Sequence, residues 1–176
     1  MAEETPPDDL PAEVRSWIGR VVVVEPDSVP VEMGICRLFA AAVEDGNPLY
    51  WDEQTANSIA GSPIAPSALI SAWNRPDPWR PDGAPPARAL ELHFRLKEKL
   101  GLPKAVVTRA ETELHAPVRP GDRLSAEQRL DRVGPRTRNR LGEGRYWTIS
   151  VLYRRAGGEL CGIEELEFYG YGAVQP

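Results

Sequence analysis

The C-terminal part of the chain alternates between apolar and polar side chains, and this pattern limits the fold more than any other feature. From residue 106 to residue 115 the alternation has a period of two, as expected for a half-solvated antiparallel strand. Residues 123–133, 145–154 and 160–171 predict three further strands. The Ala-Gly-Gly segment at residues 156–158 favours a hairpin between the last two. The sequence therefore predicts an antiparallel meander.

Short helices are predicted before these strands. Residues 11–18 are typical of a helix that Asp9 caps and Gly19 ends, and residues 21–24 predict a strand. A second helix follows, because apolar side chains recur at helical spacing and form one stripe that is expected to face the core. The stripe consists of Ile35, Leu38, Phe39, Ala42 and Val43.

Three more helices and a proline-rich loop complete the pattern. Asp52 can cap a short helix that ends near residue 59. Residues 65–73 are apolar enough to predict a buried helix, and residues 88–100 regain helical periodicity through their leucines. Residues 74–87 contain five prolines, which exclude a persistent helix or central strand and predict a loop insertion.

Helices followed by antiparallel strands indicate an α+β domain in which the sheet wraps around one buried helix. The length of 176 residues suits a single domain. We expect this domain over residues 10–176, after a flexible tail at residues 1–9.

Composition excludes several classes of function. The net charge of −5 argues against a nucleic-acid partner, because phosphate binding needs a basic surface. No apolar run approaches the roughly 20 residues of a membrane span, and the acidic N-terminus lacks the pattern of a secretion signal. A soluble cytoplasmic protein without a membrane partner is therefore expected. Cys36 and Cys161 lie in no metal-binding spacing, so no metal site is expected.

The motif at residues 44–50, Glu-Asp-Gly-Asn-Pro-Leu-Tyr, is the strongest functional signal. Residues 39–56 around it resemble the catalytic loop of the MaoC-like hydratases and dehydratases, which reads roughly Gly-Asp-x-Asn-Pro-Leu-His. Residues 61–69 resemble the family's entry into its central helix, and residues 116–124 resemble its turn before a long strand. The chain thus resembles the N-terminal, fatty-acid-synthase-type dehydratase domain of that superfamily. The resemblance implies a hot-dog fold.

The resemblance also implies an active site with one residue replaced. Asp45 falls on the family's catalytic Asp, and Tyr50 falls on its catalytic His. Histidine has an ordinary pKa of about 6.5 and tyrosine one of about 10, so Tyr50 donates a hydrogen bond more readily than it accepts a proton. Asn47 falls on the substrate-binding turn. For Asp45 and Asn47 the structural alternative is an Asx turn after a helix.

A second departure occurs at the start of the central helix. Family members commonly carry His-Gly there, and a free N–H faces the thioester oxygen, whereas this chain has Ala65-Pro66 and proline has no N–H. Ser67 is the candidate replacement donor. Ala65 and Ser67 are therefore predicted to bind substrate, and Trp73 is predicted either to wall an acyl pocket or to pack in the core.

Further candidates lie outside the motif. Arg136, Arg138 and Arg140 crowd one predicted loop, where they could contact the phosphates of coenzyme A or form a solvated turn. His93 and His115 are the only histidines, and neither falls on the family's motif.

Three functions remain open. The leading hypothesis is a subunit of an (R)-type enoyl-CoA hydratase or 3-hydroxyacyl thioester dehydratase, paired with a second MaoC-like hot-dog subunit that supplies the catalytic Asp and His. The alternatives are a stand-alone homodimeric hydratase that uses Asp45, and a non-catalytic hot-dog that binds acyl-CoA. The substrate would be a thioester of coenzyme A or of an acyl carrier protein, and no cofactor is expected.

Overall fold

One antiparallel sheet organises the chain. The computed structural model describes residues 6–26, 29–76, 79, 81–83 and 88–172. Its strands are β1 (Arg20–Glu25), β2 (Lys104–Leu114), β3 (Leu124–Val133), β4 (Thr137–Asn139), β5 (Gly142–Arg155) and β6 (Leu160–Tyr171). They lie in the order β1-β3-β5-β6-β2, and β4 pairs with the start of β5. The predicted hairpin between the last two long strands is confirmed, and the predicted meander holds for β3, β5 and β6. It is wrong for β2, which pairs with β6 at the edge of the sheet and not with β3.

The helices lie before and between the first two strands. They are α1 (Ala12–Trp17), α2 (Met33–Ala42), α3 (Pro48–Trp51), α4 (Glu53–Ala60), the central 3-10 helix (Ser67–Asn74) and α5 (Glu91–Leu100). The predicted α+β class is confirmed. Asp52 caps α4 by accepting hydrogen bonds from the N–H groups of Gln54 and Thr55, and Gly61 ends this helix with a φ of 78°.

The central 3-10 helix and α5 pack on the inner face of the sheet. Asn74 donates hydrogen bonds to the carbonyls of Pro26 (2.9 Å) and Leu124 (2.6 Å), which ties the end of the 3-10 helix to strands β1 and β3. The backbone N–H of Leu92 donates to Gln128 on β3. These bonds satisfy polar groups that would otherwise be costly to bury.

Several predicted helices have different bounds. The segment at residues 65–73 is a 3-10 helix that begins only at Ser67, after Pro66. The helix predicted from residue 88 begins at Glu91, because Leu90 has a left-handed backbone with a φ of 60°. Asn74 belongs to the 3-10 helix, while residues 77, 78, 80 and 84–87 of the predicted loop lie outside the described residues.

The apolar stripe of α2 does not face the core as predicted. Leu38 is 73% exposed, and Ile35 and Val43 are also exposed. The smaller Cys36 and Ala40 are buried instead. Because the helix packs through small side chains, its larger apolar side chains remain on the surface.

The first strand of the C-terminal sheet also departs from its predicted environment. Strand β2 occupies one edge of the sheet, and all its residues except Ala105 are exposed. The prediction of a half-solvated strand is therefore wrong. Both faces of β2 are exposed because no described element covers its apolar face. An exposed edge of 11 residues is normally protected by a partner or by charges.

Asp9 does not cap α1, because its carboxylate pairs with Arg145 and Pro11 precedes the helix without a side-chain cap. Arg145 lies on β5, is buried, and also donates to the carbonyl of Gly134 at 3.0 Å.

Residues 1–5 lie outside the described part of the chain, so the flexible tail stays a prediction.

We predict that Gly170→Ala destabilises the fold. A Cβ at Gly170 would lie 2.1 Å from two ring atoms of Trp147, which is fully buried. Overpacking of this kind costs about 1–3 kcal/mol, and urea unfolding would measure it. Gly134→Ala is the matched control, because the nearest heavy atom to its Cβ would be 3.6 Å away. Equal unfolding midpoints for the two variants would contradict the packing shown here.

We also predict a pH-dependent contribution from Asp9. The hydrogen bond from Arg145 holds the pKa of Asp9 below its usual range. The ionised form therefore stabilises the fold above about pH 4, and this contribution disappears as the pH falls through the lowered folded-state pKa. Chemical unfolding should show Asp9→Asn less stable than wild type at pH 7, with a gap that closes in acid. Asp8→Asn is the control, and a gap that stays constant with pH would refute the ion pair.

Candidate functional site

The motif forms a tight turn between α2 and α3. The carboxylate of Asp45 accepts a hydrogen bond from the N–H of Asn47 at 3.0 Å. The side chain of Asn47 in turn caps α3 by accepting from the N–H of Leu49 at 3.1 Å. Pro48 starts α3, where its missing N–H costs nothing. The Asx-turn interpretation of these residues is confirmed, and the turn directs Tyr50 inward.

Tyr50 is a buried hydrogen-bond donor. It is 9% exposed, and the pKa of its hydroxyl is raised, first by burial and then by the nearby charge of Asp45, against a smaller opposing effect of a hydrogen bond with Asn47. A tyrosine with a raised pKa stays protonated at neutral pH. The raised pKa favours the hydroxyl as a hydrogen-bond donor to a ligand over a role as a general base.

A cavity of about 290 Å³ lies beside Tyr50. Its walls come from α3, from the start of the central 3-10 helix, from the end of β2 with its following turn, and from β6. The lining residues are Tyr50, Ile64, Ala65, Pro66, Ser67, Ile70, Leu114, His115, Ala116, Pro117, Val118 and Cys161. Three of the predicted site residues, Tyr50, Ala65 and Ser67, thus share one mostly apolar cavity.

The turn at residues 117–122 holds the entry to this cavity in place. The guanidinium of Arg119 donates to the carbonyls of Ala60 (2.8 Å) and Ser62 (3.2 Å) and also pairs with the Ser62 hydroxyl. The N–H of Ala65 donates to the carbonyl of Val118 at 2.8 Å. The predicted turn is therefore the support on which the start of the 3-10 helix rests.

The start of the 3-10 helix offers N–H donors despite Pro66. Its first intrahelical bond is the one from the N–H of Leu69 to the carbonyl of Pro66 at 3.0 Å. The N–H groups of Ser67 and Ala68 come before that bond and have no partner within the helix. Ser67 lines the cavity, which supports its prediction as the donor to a substrate oxygen.

His115 lines the same cavity although it falls outside the motif. Its Nε2 lies 3.4 Å from a carboxylate oxygen of Glu113, and its backbone N–H donates to the carbonyl of Cys161 at 2.9 Å. The sequence pattern placed His115 at the end of a strand, but no local signal indicated that this strand end meets the motif.

Other candidates lie away from the cavity. Trp73 is 2% exposed and belongs to the hydrophobic core. Arg136 pairs with Asp9 and Glu143, and Arg138 and Arg140 are exposed. This arginine group lies at the β4–β5 hairpin, beside the far end of β6, about 30 Å along the strand from Cys161. Contact with coenzyme A phosphates stays a prediction.

None of the described helices is both long and apolar enough to cross a membrane. The described ranges also contain no group of three or more His, Cys, Asp or Glu side chains that could hold a metal ion.

Known proteins share this sequence pattern. The sequence profile of the family described as "FAS1-like, dehydratase domain region" matches residues 16–160. A probable enoyl-CoA hydratase alpha subunit from Thermomonospora curvata is 30% identical over 161 residues, covering 89% of this chain and 50% of that protein. The chain thus spans about half the length of this curated relative.

Solved structures share the fold. The chain is similar to one in the ChsH1-ChsH2 complex from Mycobacterium tuberculosis, with a TM-score of 0.71 and 23% identity, over 87% of this chain and 89% of that one. The (R)-hydratase from A. caviae has a TM-score of 0.52 and 19% identity, over 85% and 95%. The HadBC 3R-hydroxyacyl-ACP dehydratase complex from M. tuberculosis has a TM-score of 0.58 and 21% identity, over 84% and 95%.

An antiparallel sheet that holds a helical segment against its inner face, shared with these structures, is the hot-dog fold. The chain belongs to the MaoC-like hot-dog hydratase and dehydratase superfamily, within the FAS1-like dehydratase family.

We predict that Tyr50 ionises only in strong alkali. Because burial and Asp45 raise its pKa, the tyrosinate absorbance that is lost in Tyr50→Phe should appear above about pH 10, the ordinary value. An ultraviolet pH titration of wild type against Tyr50→Phe would measure this. Ionisation of Tyr50 near neutral pH would restore it as a candidate base.

Proposed function

We propose that this chain is the His-lacking, substrate-supporting subunit of an (R)-type enoyl-CoA hydratase or 3-hydroxyacyl thioester dehydratase. The observation that carries the proposal is Tyr50, buried at the position of the family's histidine with a raised pKa. A second hot-dog subunit supplies the catalytic Asp and His. Asp45 remains the family's catalytic position, although its carboxylate here accepts a bond from Asn47.

The chemistry divides naturally between two subunits. Hydration of an α,β-unsaturated thioester needs a base for water, a proton for the α-carbon and donors for the developing oxyanion. The cavity of this chain offers donors, namely the Tyr50 hydroxyl and the N–H of Ser67, and apolar walls for an acyl chain. The motif offers no histidine, and its Asp45 carboxylate already accepts a hydrogen bond from the N–H of Asn47. Holding the thioester in position is therefore the role that these residues support.

The surface of the chain is suited to a partner. Strand β2 leaves its outer edge unpaired among the described strands, and Val106 and Val107 on it are exposed. A second sheet could continue from this edge by backbone pairing, which removes its unpaired N–H and C=O groups. The exposed apolar side chains of α2 would add contact area, because exposed apolar patches commonly mark interfaces.

The comparisons also support a paired assembly. The Thermomonospora relative is named as an alpha subunit, and the two Mycobacterium tuberculosis structures are complexes of two named components. By analogy with these proteins, the proposal includes a second hot-dog subunit that pairs with this chain.

Co-expression tests the proposal. A medium-chain trans-2-enoyl-CoA should be hydrated by the chain together with a hot-dog partner that carries Asp and His, and not by the chain alone. Replacing the partner's histidine with alanine should abolish turnover. Tyr50→Phe in this chain should lower kcat/KM about tenfold, the loss expected when one hydrogen bond to substrate is removed. Full activity of the chain alone would overturn the proposal.

A stand-alone homodimeric hydratase is the second candidate, and the position of His115 favours it. His115 shares the cavity with Tyr50, and histidine is the residue type that most often acts as a general acid or base. If this candidate holds, the chain alone turns over the enoyl-CoA and both His115→Gln and Asp45→Asn abolish turnover. Activity that survives both substitutions would exclude it. Tight binding of acyl-CoA without turnover in any combination would instead indicate a binding protein.

A further inference from the structure

A second cavity lies on the other side of the central 3-10 helix. It has a volume of about 250 Å³, and its walls come from the inner face of the sheet, the 3-10 helix and the region before and within α5. Ser67 and Ile70 face the first cavity, whereas Ser71 and Asn74 line the second. The motif at residues 44–50 contributes nothing to it.

Four neighbouring strands place a polar side chain in this second cavity. The residues are Glu25 on β1, Gln128 on β3, Tyr153 on β5 and Glu164 on β6. The strand register sets them in two adjacent rows, one formed by Glu25, Ala126, Tyr153 and Gly162 and the other by Gln128, Val151 and Glu164. The inner face of a sheet is normally apolar, since burying carboxylates is costly.

Hydrogen bonds within the protein use only part of this polar set. Gln128 donates to one oxygen of Glu25 at 2.7 Å and accepts from the N–H of Leu92. The hydroxyl of Tyr153 donates to one oxygen of Glu164 at 3.1 Å. Among the described residues, the second carboxylate oxygen of Glu25 and that of Glu164 have no hydrogen-bond donor.

Two other polar atoms beside the cavity, unlike the half-exposed carboxylates, are buried and have no partner among the described residues. The side-chain amide of Asn74 donates hydrogen bonds to two backbone carbonyls. Its Oδ1 is buried without a partner in the described part of the chain. The Nδ1 atom of His93 is buried in the same way. Buried polar groups of a native protein are normally hydrogen-bonded, so these two atoms mark positions where water or a ligand group can bond. Among the described residues, the polar atoms of this cavity that lack a protein partner are mainly hydrogen-bond acceptors.

A neutral donor is sufficient to satisfy the unused acceptors of this cavity. Arg75 lines the same cavity as Glu25 and Glu164 and supplies a positive charge there. Burial raises the pKa of Glu25 and lowers that of His93 to about 4, so His93 is neutral at pH 7 and adds no positive charge to the wall. A ligand ammonium would share the space with Arg75, whereas a hydroxyl can donate to the acceptors without that repulsion.

The second cavity lies within reach of a long acyl chain held in the first. Cys161 lines the first cavity and Glu164 the second, and three residues of strand span about 10 Å. Ile70 separates them, because its Cδ1 would lie 2.5 Å from a Cβ at Gly162. If the side chain of Ile70 moves aside, an acyl chain held in the first cavity can bring its far end to Glu164.

We propose that the second cavity binds hydroxyl groups and that the substrate is an acyl thioester with a hydroxyl at the far end of its chain. The substrate assignment rests on the proposed function, while the cavity's preference for hydroxyl groups does not. Glu164, Glu25 and Asn74 are the acceptors.

Matched thioesters test the substrate assignment. The chain with its catalytic partner should hydrate an ω-hydroxylated medium-chain enoyl-CoA with a kcat/KM about tenfold above that of the unhydroxylated compound, as expected for one hydrogen bond to a charged group. Glu164→Gln should reduce this preference towards unity. Glu165→Gln, the neighbouring carboxylate on the exposed face of β6, should retain it. Equal rates for both thioesters in wild type would overturn the assignment.

Free ligands test the cavity without the chemistry. Hexane-1,6-diol should shift the NMR signals of cavity residues in the isolated chain more strongly than 1-hexanol, and Glu164→Gln should weaken this binding while Glu165→Gln does not. If Glu164→Gln does not fold, Ser71→Val replaces it in the binding test, because valine narrows the cavity from the side of the 3-10 helix. Absence of diol binding, or binding unchanged in the folded variants, would overturn the hydroxyl site. Failure of turnover with either thioester would instead count against the proposed function.

Discussion

The backbone pairing of β5 with β6 is the constraint on which the rest of the structure depends. These two strands are the longest in the sheet, and through them β3 and β4 on one side are joined to β2 on the other. Both cavities lie on the inner face of β6. Gly162 and Gly170 leave room there for Ile70 and Trp147, so the central helical segment can approach the sheet closely enough to divide the interior in two.

The sequence predicts the strands and the turns between them, but it does not predict how exposed α2 and β2 are. A period of two identifies a strand wherever it lies, and the predicted strands recur with small changes in their ends. Leu38 belongs to the apolar stripe of α2, and Val106 belongs to the apolar face of the predicted half-solvated strand β2, yet both are exposed. An apolar surface that awaits a partner has the same pattern as a core within one chain, so periodicity alone does not distinguish them.

The sequence predicts those parts of the candidate site that belong to contiguous motifs. Tyr50, Ala65 and Ser67 belong to two such segments and share one cavity. His115 and Glu164 could not be assigned, because their surroundings depend on strand register. The register of β5 with β6 shifts between Tyr153 and Arg154, beside Cys161. A shift of one residue reverses which face a side chain occupies, and no short sequence pattern records it.

The exposed edge of β2 has a consequence for how the protein exists in a cell. If a second sheet completes this edge as proposed, part of the stability of the fold is contributed by the partner and depends on the concentrations of both chains. A copy without its partner would present 11 residues of open strand, the kind of surface that recruits other strands indiscriminately. Balanced synthesis of the two subunits would then protect against aggregation as well as support catalysis.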